Sequence, residues 1–308
     1  MDVCVLTWNT RDLSLPLLQK LLDSDQGVPF RVLVRDNGST DGTAEAIARD
    51  LPAVDLEAGV DNLGFAAGMN RLFARSRAPY VFCLNSDACP EPGTLRTLVS
   101  VAQRLAGLAA VAPRLVRPDG SLEHSTWPFP SLALSALFAS GARELLPLRA
   151  VDRLMLDPGW RHDRPRWVGW AVGAALLIPR STLDRVGGFD ESFFMYGEDA
   201  DWCWRARERG LGIWFEPSAS VCHVGSVSAE RRYRGEVTAR KVAATIRLIR
   251  GHRGPAAAAA FRGLELATAA RLWARARRQG DASMQQHWAV TARALARLSP
   301  LEPPATSR

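Results

Sequence analysis

"FRVLVRDNGSTDGTAEAIARDL", Phe30 to Leu51, holds the pattern that decides the fold. "FRVLVRD" is a short apolar run and reads as a strand. It closes on an acid, Asp36, followed by Asn, Gly, Ser, Thr and Asp, residues that favour turns. "STDGTAEAIARDL" then reads as a helix. The same unit recurs outward. Before it, "VCVLTW" reads as a strand and "DLSLPLLQKLLDSD" as a helix, with Asp12 as its cap and Pro16 in its first turn. After it come a helix in "GFAAGMNRLFARS", a strand in "PYVFCLN" and a helix in "EPGTLRTLVSVAQRL". Strands alternating with helices at this spacing predict an α/β fold, a mostly parallel sheet flanked by helices. Ligands of such sheets sit at the carboxyl ends of the strands. The out-of-place polar residues fall there: Thr7 to Asn9, Asp36 and Asn37, and Asn85 to Asp87.

From Arg117 to Arg166 the alternation fades into an excursion rich in Pro and Trp. "WVGWAVGAALLI" then predicts one buried strand, "PRSTLDRVGGF" a short helix ending at Gly187–Gly188, and "GIWFEP" and "ASVCHVG" two more strands. From Ala229 the chain turns to Ala, Arg and Leu at helical spacing. The expected division is residues 1–228 as one α/β domain and 229–308 as a basic helical appendage. That last stretch has 16 Lys+Arg against 5 Asp+Glu; the remainder has 23 against 27. The basic character therefore belongs to the tail, which suits nucleic acid, anionic lipid or plain solubility.

The chain of 308 residues, 47% hydrophobic and 23% charged, can bury a full core. Its five cysteines form no CxxC pair, which argues for reduced thiols in the cytoplasm and against a zinc knuckle or a disulfide scaffold. The opening residues do not read as a signal peptide, and the longest apolar run, Trp167 to Pro179, is too short for a membrane-spanning helix. No GxGxxG follows the first strand, which lowers a dinucleotide-dehydrogenase reading.

Several residues suggest chemistry. Asp36, at a strand end, suits a ribose hydroxyl or the polar edge of a base; a plain turn explains it equally well. In "DNLGFAAGMN", Gly64 and Gly68 let backbone approach a ligand or a neighbouring helix. In "CLNSDACP", Asn85 and Asp87 stand two apart, so on an extended chain their oxygens face the same way and can share a hard cation, Mg²⁺ or Mn²⁺. A capped turn is the competing explanation. His223, in "VCHVGS", can add one nitrogen to such a site, although a lone histidine more often serves structure. In "ESFFMYGEDADWCWRARERG", Glu198, Asp199 and Asp201 crowd among aromatic residues. A helix first turn attracts acids, and so does a partly dry catalytic pocket.

Taken in order, "VLTWNTRDL", "VLVRDNGSTDGT", "DNLGFAAGMN", "FCLNSDACPEPGTL", "WAVGAALLIPR", "VGGFDESFFMYGEDADWCWRARERG" and "VCHVGSVS" resemble the inverting glycosyltransferases of family 2, and within them the rhamnosyltransferase-like branch. The segments cover most of residues 3–228. The resemblance implies a GT-A, Rossmann-like sheet and transfer of a sugar from a nucleotide diphosphate to a hydroxyl. dTDP-rhamnose is the first donor to expect, with UDP-galactofuranose or another UDP- or GDP-sugar open. The acceptor would be a glycan or lipid-linked sugar in cell-surface polysaccharide synthesis. It implies that Asp199 is the general base and that Asp36 holds base or ribose, with Thr7, Asn9, Asn37, Asn62, Gly64, Gly68, Asn85 and Ser86 around the nucleotide-sugar. Asp87 stands in the DxD position, its first acid replaced by Asn85, and would hold Mn²⁺ or Mg²⁺ with His223. Gly173, Tyr196, Glu198 and Trp202 would meet the acceptor; Asp201 would serve as a capping or hydrogen-bonding acid, or else as an acceptor contact; Trp204 is expected in the core. Arg35 stands where an aliphatic residue is expected.

Lipid-linked acceptors, usual in this branch, place the enzyme in the cytoplasm, with the basic tail against an anionic membrane surface or folded as a helical appendage. Two other classes compete. A non-catalytic sugar-nucleotide binder would lose Asp87 or Asp199, and both are present. A nucleic-acid binder would rest on the tail alone, which holds no recognised motif, so no nucleic-acid partner is expected.

Overall fold

Val3, Val5, Val32, Val34, Phe82 and Leu84 alternate along three neighbouring strands and are at most 1% exposed. Cys4, Leu33 and Cys83, on the opposite face, are wholly buried too. Strands covered on both faces read as continuous apolar runs, which is why they stood out in the sequence.

The computed structural model describes residues 1–155, 159–225 and 237–297. In chain order it begins β1 (Asp2–Thr7), α1 (Arg11–Asp23), β2 (Arg31–Asp36), α2 (Thr43–Asp50), β3 (Asp55–Ala58), α3 (Phe65–Arg75), β4 (Tyr80–Asn85), β5 (Ala88–Pro90), α4 (Thr94–Arg104) and β6 (Leu108–Val116). The short strands β7 (Leu122–Glu123) and β8 (Thr126–Trp127) follow, then two helices, α5 (Leu132–Ser140) and α6 (Leu148–Arg153). Next come β9 (Arg166–Val168), β10 (Trp170–Ala171), β11 (Ala175–Pro179), α7 (Arg180–Val186), α8 (Glu198–Glu208) and β12 (Gly212–His223), and finally α9 (Val237–Gln279) and α10 (Ala282–Arg297).

Among the described residues, ten strands form the main sheet, in the order β3-β2-β1-β4-β11-β6-β12-β5, with β7 on β6 and β9 on β12. β3, β2, β1 and β4 run parallel. β6 and β12 are also parallel to each other. β11 lies between the two groups and runs antiparallel to both β4 and β6. The expected mostly parallel sheet flanked by helices is therefore present.

Four local readings change. Asp12 is not the cap of α1: it lies inside the first turn, and Thr10 precedes the helix without a side-chain cap. "WVGWAVGAALLI" is three strands, because its pieces pair with three partners: β9 with β12, β10 with β8, and β11 with β4 and β6. "GIWFEP" and "ASVCHVG" join in β12, where a shift of register between Glu216 and Ser220 absorbs Pro217. Proline cannot donate to a ladder, so a bulge is where it fits. β3 was not expected, because "DLEA" is short and half polar.

Two compact units emerge, Met1–Pro128 with Arg161–Arg231, and Phe129–Trp160 with Arg232–Arg308. The first holds the sheet. The second groups part of the Pro- and Trp-rich excursion with the late helices. Within it, Ser135 donates to Glu265 at 2.8 Å and Arg271 to the carbonyl of Phe138 at 2.9 Å. α9 breaks at Gly254 (φ 84°, ψ 170°), just before Pro255. The boundary expected near residue 228 lies outside the described residues. Among the described residues, no helix is long and apolar enough to cross a membrane.

Candidate active site

The carboxyl ends of β1 and β2 are tied together. Asp36 is 1% exposed. Its Oδ2 accepts from Thr7 Oγ1 at 2.8 Å and from Ser39 Oγ at 2.6 Å, and its Oδ1 accepts from the backbone N–H of Ser39 at 2.8 Å. Asn9 adopts a left-handed backbone (φ 51°), receives the N–H of Thr40 on its Oδ1 at 2.8 Å and donates its own N–H to Ser39 Oγ at 2.8 Å. A carboxylate with three internal donors organises the turn around it before it meets any ligand.

Asn37 is 1% exposed and continues the arrangement. Its Nδ2 donates to the carbonyl of Gly64 at 3.0 Å and to Asn62 Oδ1 at 3.3 Å. Asn62 Oδ1 also accepts the N–H of Gly64 at 2.9 Å. Arg35 finds its account here. Its Nε donates to Asn37 Oδ1 at 3.2 Å and its Nη1 pairs with Glu57, which also takes Arg75 Nη1 at 3.2 Å. A buried guanidinium thus fixes which way the Asn37 amide points.

Gly64 and Gly68 admit protein rather than ligand. A side chain at Gly64 (φ 84°) would lie 2.5 Å from the carbonyl oxygen of Phe194, and one at Gly68 would lie 2.6 Å from Leu6. The loop ahead of α8 therefore docks on the start of α3, where the N–H of Phe65 donates to that same carbonyl at 2.7 Å.

Asn85 ends β4, and Ser86 and Asp87 turn into β5. Asn85 and Asp87 are brought to a common neighbour by this turn rather than by an extended chain, and it is the Asn85 amide nitrogen, not its oxygen, that faces it. Both reach His223 Nε2, Asn85 Nδ2 at 3.3 Å and Asp87 Oδ1 at 3.2 Å. Ser86 Oγ accepts from Thr10 Oγ1 at 3.4 Å, which links this turn to the loop after β1. On the other side of the imidazole, Nδ1 lies 2.8 Å from Glu123 Oε2. Glu123 escaped the sequence reading. β7 pairs with β6 and β6 with β12, so a hairpin ("RPDGSLE") delivers this acid to a histidine 100 residues away. Burial works against the charged ring, but the carboxylates of Asp87 and Glu123 outweigh it and hold the His223 pKa up at about 9.

The fit to a divalent cation can be judged from these contacts. Imidazoles that bind metals are oriented by a carboxylate on the other ring nitrogen, and Glu123 occupies that place. Carboxylate oxygen and imidazole nitrogen are ligands that Mn²⁺ accepts. Among the described residues, no group of three or more His, Cys, Asp and Glu side chains could hold a metal ion by itself. Asp87 and His223 alone do not complete a cation's coordination; its other ligands would have to come from a bound phosphate or from water.

Tyr196 (φ 71°) and Gly197 (φ 93°) turn the chain sharply into α8. For tyrosine this conformation is unfavourable and is held by its surroundings. The turn sets Glu198 and Asp199 at the helix N-terminus, where partial positive charge favours an acid. Asp199 Oδ2 accepts the N–H of Gly173 at 3.0 Å, and Oδ1 the N–H of Ala200 at 2.7 Å. Gly173, expected against the acceptor, thus positions this carboxylate. Glu198 is 5% exposed, and its Oε2 has no hydrogen-bond partner. Burial first, and the charge of Asp199 second, push its carboxyl well above the usual range.

One acceptor residue needs correction, and Asp201 takes its hydrogen-bonding role rather than the acceptor contact. Trp202 is wholly buried and donates Nε1–H to the carbonyl of Gly187 at 2.9 Å, so it belongs to the core. Asp201 accepts from Arg205 Nε at 2.7 Å, while Nη1 and Nη2 of Arg205 reach the carbonyls of Val186 and Gly188 at 3.0 and 2.8 Å. That acid braces the turn after α7. Trp204, 4% exposed, is core as expected. Two contacts connect these segments: the N–H of Asn85 donates to the carbonyl of Ala174 at 2.9 Å, and the Phe65 ring, next to Gly64 in the chain, packs against Gly173.

Known proteins are similar to this chain in sequence and in fold. Residues 2–145 match the family described as Glycosyl transferase family 2. An N-acetylglucosaminyl-diphospho-decaprenol L-rhamnosyltransferase of Mycobacterium tuberculosis is 32% identical over 250 residues, 73% of this chain and 76% of the relative. A pre-mycofactocin glycosyltransferase of the same organism is 31% identical over 211 residues, 67% of this chain and 39% of the relative. A mannosyltransferase of Pyrobaculum calidifontis, solved with GDP-Man and Mn²⁺, has a TM-score of 0.59 at 17% identity, covering 96% of this chain and 84% of that one.

Proposed function

Because the chain belongs to glycosyl transferase family 2, we propose that it is an inverting transferase that moves rhamnose from dTDP-rhamnose to a hydroxyl of a lipid-linked glycan. The observation that carries this reading is Asp199, a carboxylate held by two backbone N–H groups at the start of α8. A sugar hydroxyl is a weak nucleophile and needs a positioned base. As the acceptor oxygen bonds to the anomeric carbon, Asp199 takes its proton. The bond from that carbon to the diphosphate breaks on the opposite face, its electron pair leaves with the nucleotide, and the configuration inverts.

The other residues bind and orient. The Thr7–Asp36–Ser39 and Asn37–Asn62 clusters frame the nucleotide. Glu198 is placed to hydrogen-bond an acceptor hydroxyl, and Tyr196 stands at the same turn. Asp87 and His223 would hold Mn²⁺ or Mg²⁺, which when bound offsets negative charge on the departing diphosphate. The acceptor assignment rests on the relative that acts on a decaprenol-linked sugar. It implies work at the cytoplasmic face of a membrane, with the basic tail toward anionic lipid.

Thermal-shift and transfer assays against dTDP-, UDP- and GDP-sugars, with and without Mn²⁺ or Mg²⁺, test the reading. Metal-dependent stabilisation by dTDP-rhamnose, with transfer to a polyprenyl-diphosphate-linked sugar, is expected. Stabilisation by UDP-galactofuranose alone would replace the donor. No response to any nucleotide would end the transferase assignment.

A further inference from the structure

Among the described residues, eight large apolar side chains stand exposed, and four of them, Leu132, Leu145, Leu148 and Leu154, fall within one stretch of the second unit. Leu145 is 86% and Leu148 78% exposed. Side chains so free of neighbours project from the surface rather than form part of a flat patch. The stretch opens with α5, "LALSALFAS", which has no charged residue on any side. A helix apolar all round belongs inside a core or in lipid, yet only Ser135 of this one is buried, while Leu132, Ala133 and Ala136 are exposed.

Between Leu132 and Leu154, Arg143, Arg149 and Arg153 outnumber the acids Glu144 and Asp152. Arg149 and Arg153 are exposed on α6, and the Arg143 guanidinium lies 5.6 Å from the centre of the Phe138 ring. Glu144, one of two acids between Leu132 and Leu154 (Asp152 is the other), is offset by Arg271 and Arg275, each at 2.8 Å. Projecting leucines bordered by arginines are the arrangement of a surface that enters the headgroup layer of a bilayer, apolar tips toward the acyl chains and cations toward phosphate.

The geometry points to residues 132–154 as a docking surface for an anionic phospholipid membrane, with Leu145 and Leu148 entering the lipid. The surface extends the reading of a lipid-linked acceptor and draws its purpose from it, while its own binding needs neither donor nor acceptor.

The test is co-sedimentation of the full chain with phosphatidylcholine vesicles, with and without phosphatidylglycerol, at low and physiological salt. The wild type is expected to pellet with the phosphatidylglycerol vesicles. Leu145→Asp/Leu148→Asp is expected to weaken this by about tenfold or more, and Arg149→Glu to weaken it mainly at low salt. Both variants should keep the wild-type melting temperature and its shift with nucleotide-sugar, which separates lost docking from lost folding. A leucine variant that pellets like the wild type, or a wild type that stays in the supernatant, overturns the proposal. So does sedimentation equilibrium showing a wild-type dimer that the leucine variant dissociates, since the surface would then belong to a second copy. Absence of any nucleotide shift in all three proteins would sink the transferase reading and leave the vesicle result standing.

Discussion

Asp199 and Arg35 act at the scale of single residues, and each makes a separable prediction. Asp199→Asn keeps the shape of the carboxylate and one of its two N–H contacts but removes its basicity. Turnover should fall by about 10²–10⁴-fold, the range of a lost general base, while the donor-induced thermal shift stays. An unchanged kcat would remove Asp199 from the chemistry. Arg35 touches Asn37, not the reacting atoms. Arg35→Met leaves Glu57 without its buried partner and lets the Asn37 amide turn. The KM for the donor should rise by roughly tenfold, as expected for an ion-assisted hydrogen bond of about 1.5–3 kcal/mol that is partly recovered by water, with kcat little altered. A fall in kcat at constant KM would contradict a positioning role.

At the scale of elements, the hairpin carrying β7 and the loop ahead of α8 each hold a functional group from a distance. Glu123→Gln should weaken Mn²⁺ binding by about 10–100-fold, the usual effect of losing the group that orients a ligating imidazole, as read by calorimetric titration. Affinity equal to wild type would show that His223 does not need Glu123. Asn70 accepts the N–H of Phe189 at 2.8 Å and donates to its carbonyl at 2.9 Å, fastening α3 to the segment after α7. Asn70→Ala should cost about 1–3 kcal/mol in a urea titration, because both backbone groups lose a partner. What the sequence disclosed divides along the same line. β1, β2 and β4 were legible because apolar runs ended in turn residues, and so were Asp36, Asn37, Asn85 and Asp87 at their ends. Asp199 needed the whole ordered set of segments. Glu123 was hidden because its partner is 100 residues away and only a sheet pairing brings them together. Trp202 misled because a single helical turn presents some residues to the site and others to the core.

Across the whole molecule, β11 is the antiparallel join between the β3-β2-β1-β4 group and the β6-β12 pair. Leu177, at its middle, is wholly buried and pairs with Phe82 on one side and Val111 on the other. Leu177→Ala should destabilise the first unit by about 2–5 kcal/mol, seen as a lower urea midpoint at unchanged slope. A loss below half a kilocalorie would mean that the two groups hold together without it. The order of the strands was not legible, since nothing local in "AALLIP" says that it runs against its neighbours.

β3 begins the order of strands in the main sheet, and its Glu57 also anchors Arg35. Its Asp55 pairs with Arg31 and Arg75, so this short strand is heavily charged. Charges on a sheet's margin discourage another chain from adding a strand there and starting an aggregate. Glu57 therefore has two duties, one toward the Asn37 amide and one toward colloidal behaviour. Attempts to broaden the choice of sugar-nucleotide by neutralising it would meet a limit set by precipitation, with soluble yield declining before any new specificity could be measured.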